Sequence, residues 1–280
     1  FVTIACIINV FLDLLFVGVF HMASFGAALA TVISQAISMI CCIIYLKRIN
    51  FEFDFKLSSF RLYKDRLLML LRVGIPISIQ NVIVNLSFLV LTTIANGMGV
   101  GASAAIGVIG KYNGFAILPA IAIGSSVSAM VAQNMGAGRI DRAEKTFRTG
   151  FLLAFSISLL VFIFTRLFPE QILSLFGDDP AMISAGIDYV KTFSFDYILV
   201  PAVFCLSGLI TGSGHTIISS VGGIMSSLGF RIPLAILFGV VLDKGMFGLG
   251  LAAPAATLGA GSIMFIYYLK SIISYNKVII

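Results

Sequence analysis

Asn9 and Asp13 stand four residues apart in the apolar stretch IINVFLDLLF (7–16). On a helix, positions i and i+4 lie one above the other, so the two side chains form one small amide-and-carboxylate patch in an apolar surround. Thr31 or Gln35, in the next apolar segment, reaches the same depth if that segment packs antiparallel, and adds an oxygen. Carboxylate, amide and hydroxyl together suit a proton or Na+, hard ions that take oxygen ligands. A charged Asp at the centre of a membrane helix costs about 2.5–3.5 kcal/mol on insertion scales, which makes its presence a pointer to function. Two arrangements offset that cost: the acid carries a proton, or it holds a cation with neighbouring oxygens. The alternative is a carboxylate at a membrane face, where water solvates it.

Asp196, in YVKTFSFDYILVPAVF, is the second acid well inside an apolar segment; the other ten lie in loops or near segment ends. It reads either as a second polar site or as a structural partner for Lys111 or Arg231. Those two cations sit one to two turns or more inside their segments, and snorkelling accounts for them. Gln80, Asn81, Asn85 and Asn113 are neutral and either line a substrate cleft or bond between helices. No Walker loop, HExxH or G-x-S-x-G motif occurs, and Ser, His and acid do not cluster, so the chain does not read as an enzyme. His21 and His215 fall at opposite ends of their spans' topology, which leaves no metal expected beyond Na+ at Asp13 and no cofactor. GAGRIDRAEK (136–145) follows a helix, not a strand, and reads as a basic turn.

The elements that must position these residues follow from composition. The chain is 59% hydrophobic and 11% charged, with mean hydropathy +1.09. Soluble domains carry about 25% charged residues; this chain cannot wet a surface that way. Eight apolar segments are near the roughly 20 residues that span a bilayer: 1–18, 24–46, 74–96, 103–133, 148–165, 186–210, 217–241 and 246–269. Their continuity excludes the alternation of barrel strands, so an all-α polytopic membrane protein is expected. Pro119, Pro201, Pro233 and Pro254 mark expected kinks. Phe1 opens inside the first segment, which reads as a chain whose N-terminal part precedes it. Cys6, Cys41, Cys42 and Cys205 lie in apolar runs and read as small hydrophobes, not disulfides.

Lys47, Arg48, Lys56, Arg61, Lys64, Arg66, Arg72, Arg139, Arg142, Lys145, Arg148, Lys270 and Lys277 all fall on one side if every segment crosses. That side, with linker 47–72 and the C-terminus, is cytoplasmic. The net charge of +6 is of this one-sided kind, and no nucleic-acid partner is expected. The expected organisation is two helices (1–46), an amphipathic linker (47–72) and six helices (73–280). A shift of 222 residues pairs Phe25 with Phe247, Gly26 with Gly248, Leu29 with Leu251, Ala30 with Ala252, Ile44 with Ile266 and Tyr45 with Tyr267. Segments one and two thus read as a repeat of seven and eight, as in repeat-built transporters.

The stretch 110–150, GKYNGFAILPAIAIGSSVSAMVAQNMGAGRIDRAEKTFRTG, resembles the region joining the eighth and ninth helices of multidrug and toxic compound extrusion (MATE) transporters. LRVGIPISIQNVIVNLSF resembles that family's seventh helix, LITGSGHT the end of its tenth, and RIPLAILFGVVLDKGMFGLGLAAP its eleventh-to-twelfth hairpin. The resemblance implies twelve helices in two six-helix lobes, of which this chain covers the last eight. It implies a monomer in the plasma membrane that exports amphipathic or cationic organic compounds by cation-coupled alternating access. In the DinF-like branch, an Asn and an Asp on the fifth helix and a Thr on the sixth help form the cation or proton site. Asn9, Asp13 and Thr31 match them. The NorM-like site in the second lobe uses a Glu on the seventh helix and a Tyr and Asp on the tenth. Here Val84 or Asn85, and approximately Asp196 and Val200, stand in those places. A lipid-linked oligosaccharide flippase of the same wider superfamily is the alternative; it calls for basic residues facing the cleft, and only Lys111 and Arg231 qualify.

Overall fold

Apolar runs this long have one way to satisfy their backbone in lipid without closing a barrel, the helix, and the described apolar segments take it. The computed structural model describes residues 1–49 and 61–278, with side chains as far as Lys270. Residues 50–60 of the expected 47–72 linker lie outside the described residues. The helices are α1 (Val2–Asp13), α2 (Ala23–Arg48), α3 (Lys64–Gly97), α4 (Val100–Ala116), α5 (Leu118–Gly136) and α6 (Ile140–Leu167). They continue as α7 (Pro169–Ser174), α8 (Pro180–Phe193), α9 (Asp196–Gly212), α10 (Thr216–Ile224), α11 (Ile232–Ile236) and α12 (Gly245–Val278). Wider π turns extend α1 over Leu14–Val19, join α10 to α11 over Met225–Arg231, and end that span over Leu237–Val241. No strand occurs among the described residues.

Among the described residues, six helical stretches are long and apolar enough to cross a membrane, and two bent pairs bring the number to eight if each is one span. The α4–α5 pair bends by 42° at Ile117, with Pro119 in the first turn of α5. The α8–α9 pair bends by 50°, and here the expected kink at Pro201 is displaced. Pro201 lies inside an unbroken α9, whereas the break falls at Ser194–Phe195. There the backbone tightens to i→i+3 bonds, Phe195 N to Thr192 O and Tyr197 N to Ser194 O. Ser, Thr and Asp side chains compete with helical backbone bonds, and TFSFD (192–196) concentrates them. Pro254 likewise sits inside an unbroken α12. Residues 64–72, expected within the linker, form the first turns of α3.

The chain divides into two units, Phe1–Leu67 and Leu68–Ile280. In the first, α1 and its π turn pack against α2. In the second, α5, α6 and α9 pack together and α12 packs along α8 and α9. Without a hydrophobic drive between helices in lipid, close approach relies on small residues. In GLITG (208–212), a Cβ on Gly212 would come within 2.5 Å of Ser128 O, and one on Gly208 would strike the backbone of Gly124. The main apolar core gathers Leu91, Ile109, Phe193, Tyr197 and Leu249.

The two hairpins expected to repeat do so bond for bond. Phe20 N donates to Leu15 O (3.0 Å) and Met22 N to Phe16 O (2.9 Å) in the first; Leu242 N donates to Leu237 O (2.8 Å) and Lys244 N to Phe238 O (3.1 Å) in the second. His21 and Ala23 have φ of 53° and 46°, Asp243 and Gly245 48° and 53°. Each pair is separated by the same 222 residues as the sequence matches.

Candidate functional site

Asp13 is the last residue of regular α1, and the π turn begins with Leu14. Such turns add a residue to a helix and recur at functional sites. One turn earlier, Asn9 Nδ2 donates to Thr31 Oγ1 of α2 at 3.4 Å, and Thr31 Oγ1 donates to Ala27 O at 3.0 Å. The bond to Thr31 leaves the Asn9 carbonyl oxygen as an acceptor. Asp13 Oδ1 is covered by protein and has no hydrogen-bond partner among the described residues. Of the two side chains that sequence offered from α2, Thr31 makes the contact, while Gln35 lies exposed one turn further along. The donor set fits a proton or Na+: one carboxylate, one amide oxygen and one hydroxyl, all hard oxygens.

A second polar centre lies in the other unit. Asp196 is 5% exposed and opens α9 at the α8–α9 break; Arg231 is 8% exposed and closes the π turn after α10. Arg231 Nη1 donates to Ser87 Oγ at 3.1 Å, and its guanidinium carbon lies 4.4 Å from the centroid of Phe88. Both partners are on α3. Arg231 therefore does not snorkel, as its sequence position suggested; a hydroxyl and an aromatic face inside the protein receive it. Asp196 Oδ1 and Arg231 Nε are each covered by protein and have no hydrogen-bond partner among the described residues. Ser226 Oγ donates to Ala256 O at 2.9 Å, locking the same π turn onto α12 next to Thr257.

The remaining candidates do not join this centre through any described hydrogen bond. Gln80 packs flat on Gly223, where a Cβ would come 2.7 Å from its Cδ. Asn85 Nδ2 donates to Asn81 O within α3 at 2.8 Å. Asn113 Oδ1 is covered without a partner among the described residues, beside the Tyr112–Thr165 hydroxyl pair at 2.6 Å. Lys111 is exposed. Sequence reasoning missed Ser87, Phe88 and Thr257. One signal was present: the 222-residue shift that pairs Asn9 with Arg231 also pairs Gln35 with Thr257. Among the described residues, no three His, Cys, Asp or Glu side chains converge on a point.

Comparison with known proteins agrees with this architecture. The MatE family model matches residues 76–237. The chain is 28% identical over 271 residues to the probable multidrug resistance protein YoeA of Bacillus subtilis (strain 168), covering 94% of this chain and 58% of that protein. It is 26% identical over 268 residues to the probable multidrug resistance protein YpnP of the same organism, covering 96% and 59%. A crystal structure of MATE in complex with MaL6 superposes with TM-score 0.90 at 21% identity, covering 98% of this chain and 62% of that one. The chain thus spans about three fifths of the length of these relatives.

Proposed function

Because the chain belongs to the MatE family, we propose that it serves a cation-coupled antiporter that exports amphipathic or cationic organic compounds across the plasma membrane by alternating access. The observation that carries this reading is the covered Asp13 carboxylate beside a π turn, one turn from the Asn9–Thr31 bond. Asp13 takes up H+ or Na+, and Asn9 and Thr31 supply oxygens. Loading neutralises a carboxylate whose covered Oδ1 has no hydrogen-bond partner among the described residues, so the loaded and empty hairpins favour different packing. The π turn gives α1 a place to change its bend. Coupling requires only that the two states differ in their affinity for the exported compound. The basic ends at Lys47–Arg48 and Arg139–Arg148 face the cytoplasm on this reading. A flippase for pyrophosphate-linked lipids is less well supported, since Arg231 is buried against Ser87 and Phe88 and Lys111 is exposed.

The test uses the full-length protein in proteoliposomes, wild type beside Asp13→Asn, following efflux of a fluorescent organic cation under a pH gradient and then a Na+ gradient. Driven efflux falls by about tenfold or more, the loss of roughly 1.4 kcal/mol or more of coupling, while substrate binding persists. The gradient that drives wild type names the ion. Undiminished driven transport in the variant refutes the assignment.

A further inference from the structure

Two bent spans run side by side in the second unit: α4 packs along α8, and α5 along α9. Before the breaks, a Cβ on Gly101 would meet Ala181 C at 3.0 Å; after them, one on Gly124 would meet Phe204 O at 2.9 Å. Each break leaves a carbonyl without its helical donor. Pro119 has no N–H for Phe115 O, and Phe195 N turns to Thr192 O instead of Lys191 O. A third helix weakens beside them. Pro254 of α12 has no N–H for Gly250 O, and a Cβ on Gly250 would strike Thr192 Oγ1 at the α8–α9 break. Thr192 Oγ1 itself donates to Phe247 O of α12 at 2.8 Å.

α6 ends where these weak points meet, and its last turn reaches both bent spans. Thr165 Oγ1 donates to Val161 O at 2.7 Å, so Tyr112 Oη, 2.6 Å away on α4 and five residues before Ile117, donates to Thr165. The Tyr112 ring meets that of Tyr197, in the first turn of α9, edge-on at 6.4 Å. Arg166 Nη1 donates at 2.6 Å to Lys191 O, the carbonyl that the break sets free, and its guanidinium carbon lies 5.2 Å from the centroid of Phe195. A cation at the C-terminal end of α8 also complements that helix's dipole. The Lys191 ammonium is engaged elsewhere, bonded to Asp188 Oδ1 at 2.8 Å.

We propose that Thr165 and Arg166 form a latch that ties the α4–α5 and α8–α9 breaks into one hinge, about which α4 and α8 swing together against α5 and α9 when the latch opens. α12 follows by bending at Pro254. The hinge invokes neither a coupling ion nor an exported compound. Its failure therefore leaves the Asp13 reading intact, and the reverse holds as well.

The experiment is hydrogen–deuterium exchange of the full-length protein in lipid nanodiscs, read by mass spectrometry over residues 115–118 and 192–196. Arg166→Met removes the cap on Lys191 O and is expected to raise exchange at 192–196 by about fivefold. Exchange also rises at 115–118, with which Arg166 shares no described hydrogen bond or ring contact. Tyr112→Phe removes one hydroxyl, keeps the ring, and is expected to raise exchange in both segments by about threefold. Rises confined to the span that each side chain touches, or no rise in either segment, overturn the proposal. If Arg166→Met does not fold, Tyr112→Phe decides alone: a rise at 192–196 supports the single hinge, and no rise there overturns it.

Discussion

From Asp13 to Gly26, and again from Ala235 to Gly248, the chain makes the same moves: a π turn, an i→i+5 closing bond, two left-handed residues and a glycine at the start of the next helix. The backbone at these two places is one design, and the side chains on it are two. The first copy carries an acid with no described partner and a hydroxyl and amide one turn away. The second carries an arginine held by a hydroxyl and a phenyl ring of α3. The same backbone geometry therefore carries two different sets of polar side chains, with Arg231 in the place of Asn9 and Ala235 in the place of Asp13.

The strongest way to break the equivalence is through its glycines. A Cβ on Gly26 would lie 2.9 Å from Met22 Cβ and 3.2 Å from Phe16 C. On Gly248 it would strike Phe238 O and lie 2.8 Å from Lys244 Cβ. Gly26→Val and Gly248→Val are each expected to cost about 3 kcal/mol from overpacking against backbone, seen as loss of folded protein by size-exclusion chromatography. A folded, unshifted Gly248→Val protein beside a lost Gly26→Val one would end the claim that the copies share their packing.

The next effect sharpens the difference between the copies. Thr31→Val removes the acceptor of the Asn9 bond, worth about 1 kcal/mol, and is expected to weaken ion dependence of transport by roughly fivefold. Thr257→Val, which removes a buried hydroxyl from the second copy, is expected to leave ion dependence unchanged. Equal shifts in the two variants would contradict the assignment of exchange to one copy.

The smallest effect lies in the turn. Ala23 holds φ 46° where its counterpart is Gly245 at φ 53°. Left-handed backbone costs a non-glycine residue about 1 kcal/mol. Ala23→Gly is therefore expected to raise the melting temperature slightly and Gly245→Ala to lower it by a similar amount, read by thermal unfolding in detergent. Shifts of the same sign would show that the two turns differ.

Much of this was legible in the sequence, and the reasons for the rest are specific. Continuous apolar runs identify the eight crossings, because in lipid the backbone must close its own bonds. Six identities at a 222-residue shift point to the repeat, and one of them, Gly26 with Gly248, is a steric necessity at both places. The pairing of Asn9 with Thr31 over Gln35 needed the register of α1 against α2, which spacing within one helix does not set. The break at Ser194–Phe195 escaped notice because proline dominates the reading of kinks, while short polar side chains loosen a helix with less local signature. Arg231 was misread because snorkelling depends on what faces a side chain; Ser87 and Phe88 lie on a helix 144 residues away in sequence.

The central claim is that the exchangeable charge sits at Asp13 and nowhere in the second hairpin. Its most direct test is the number of H+ or Na+ ions released when substrate is added to full-length wild type, Asp13→Asn and Arg231→Met/Asp196→Asn. The account predicts release abolished in Asp13→Asn and unchanged in the charge-neutral double variant. Release that survives in Asp13→Asn and disappears in the double variant would contradict it.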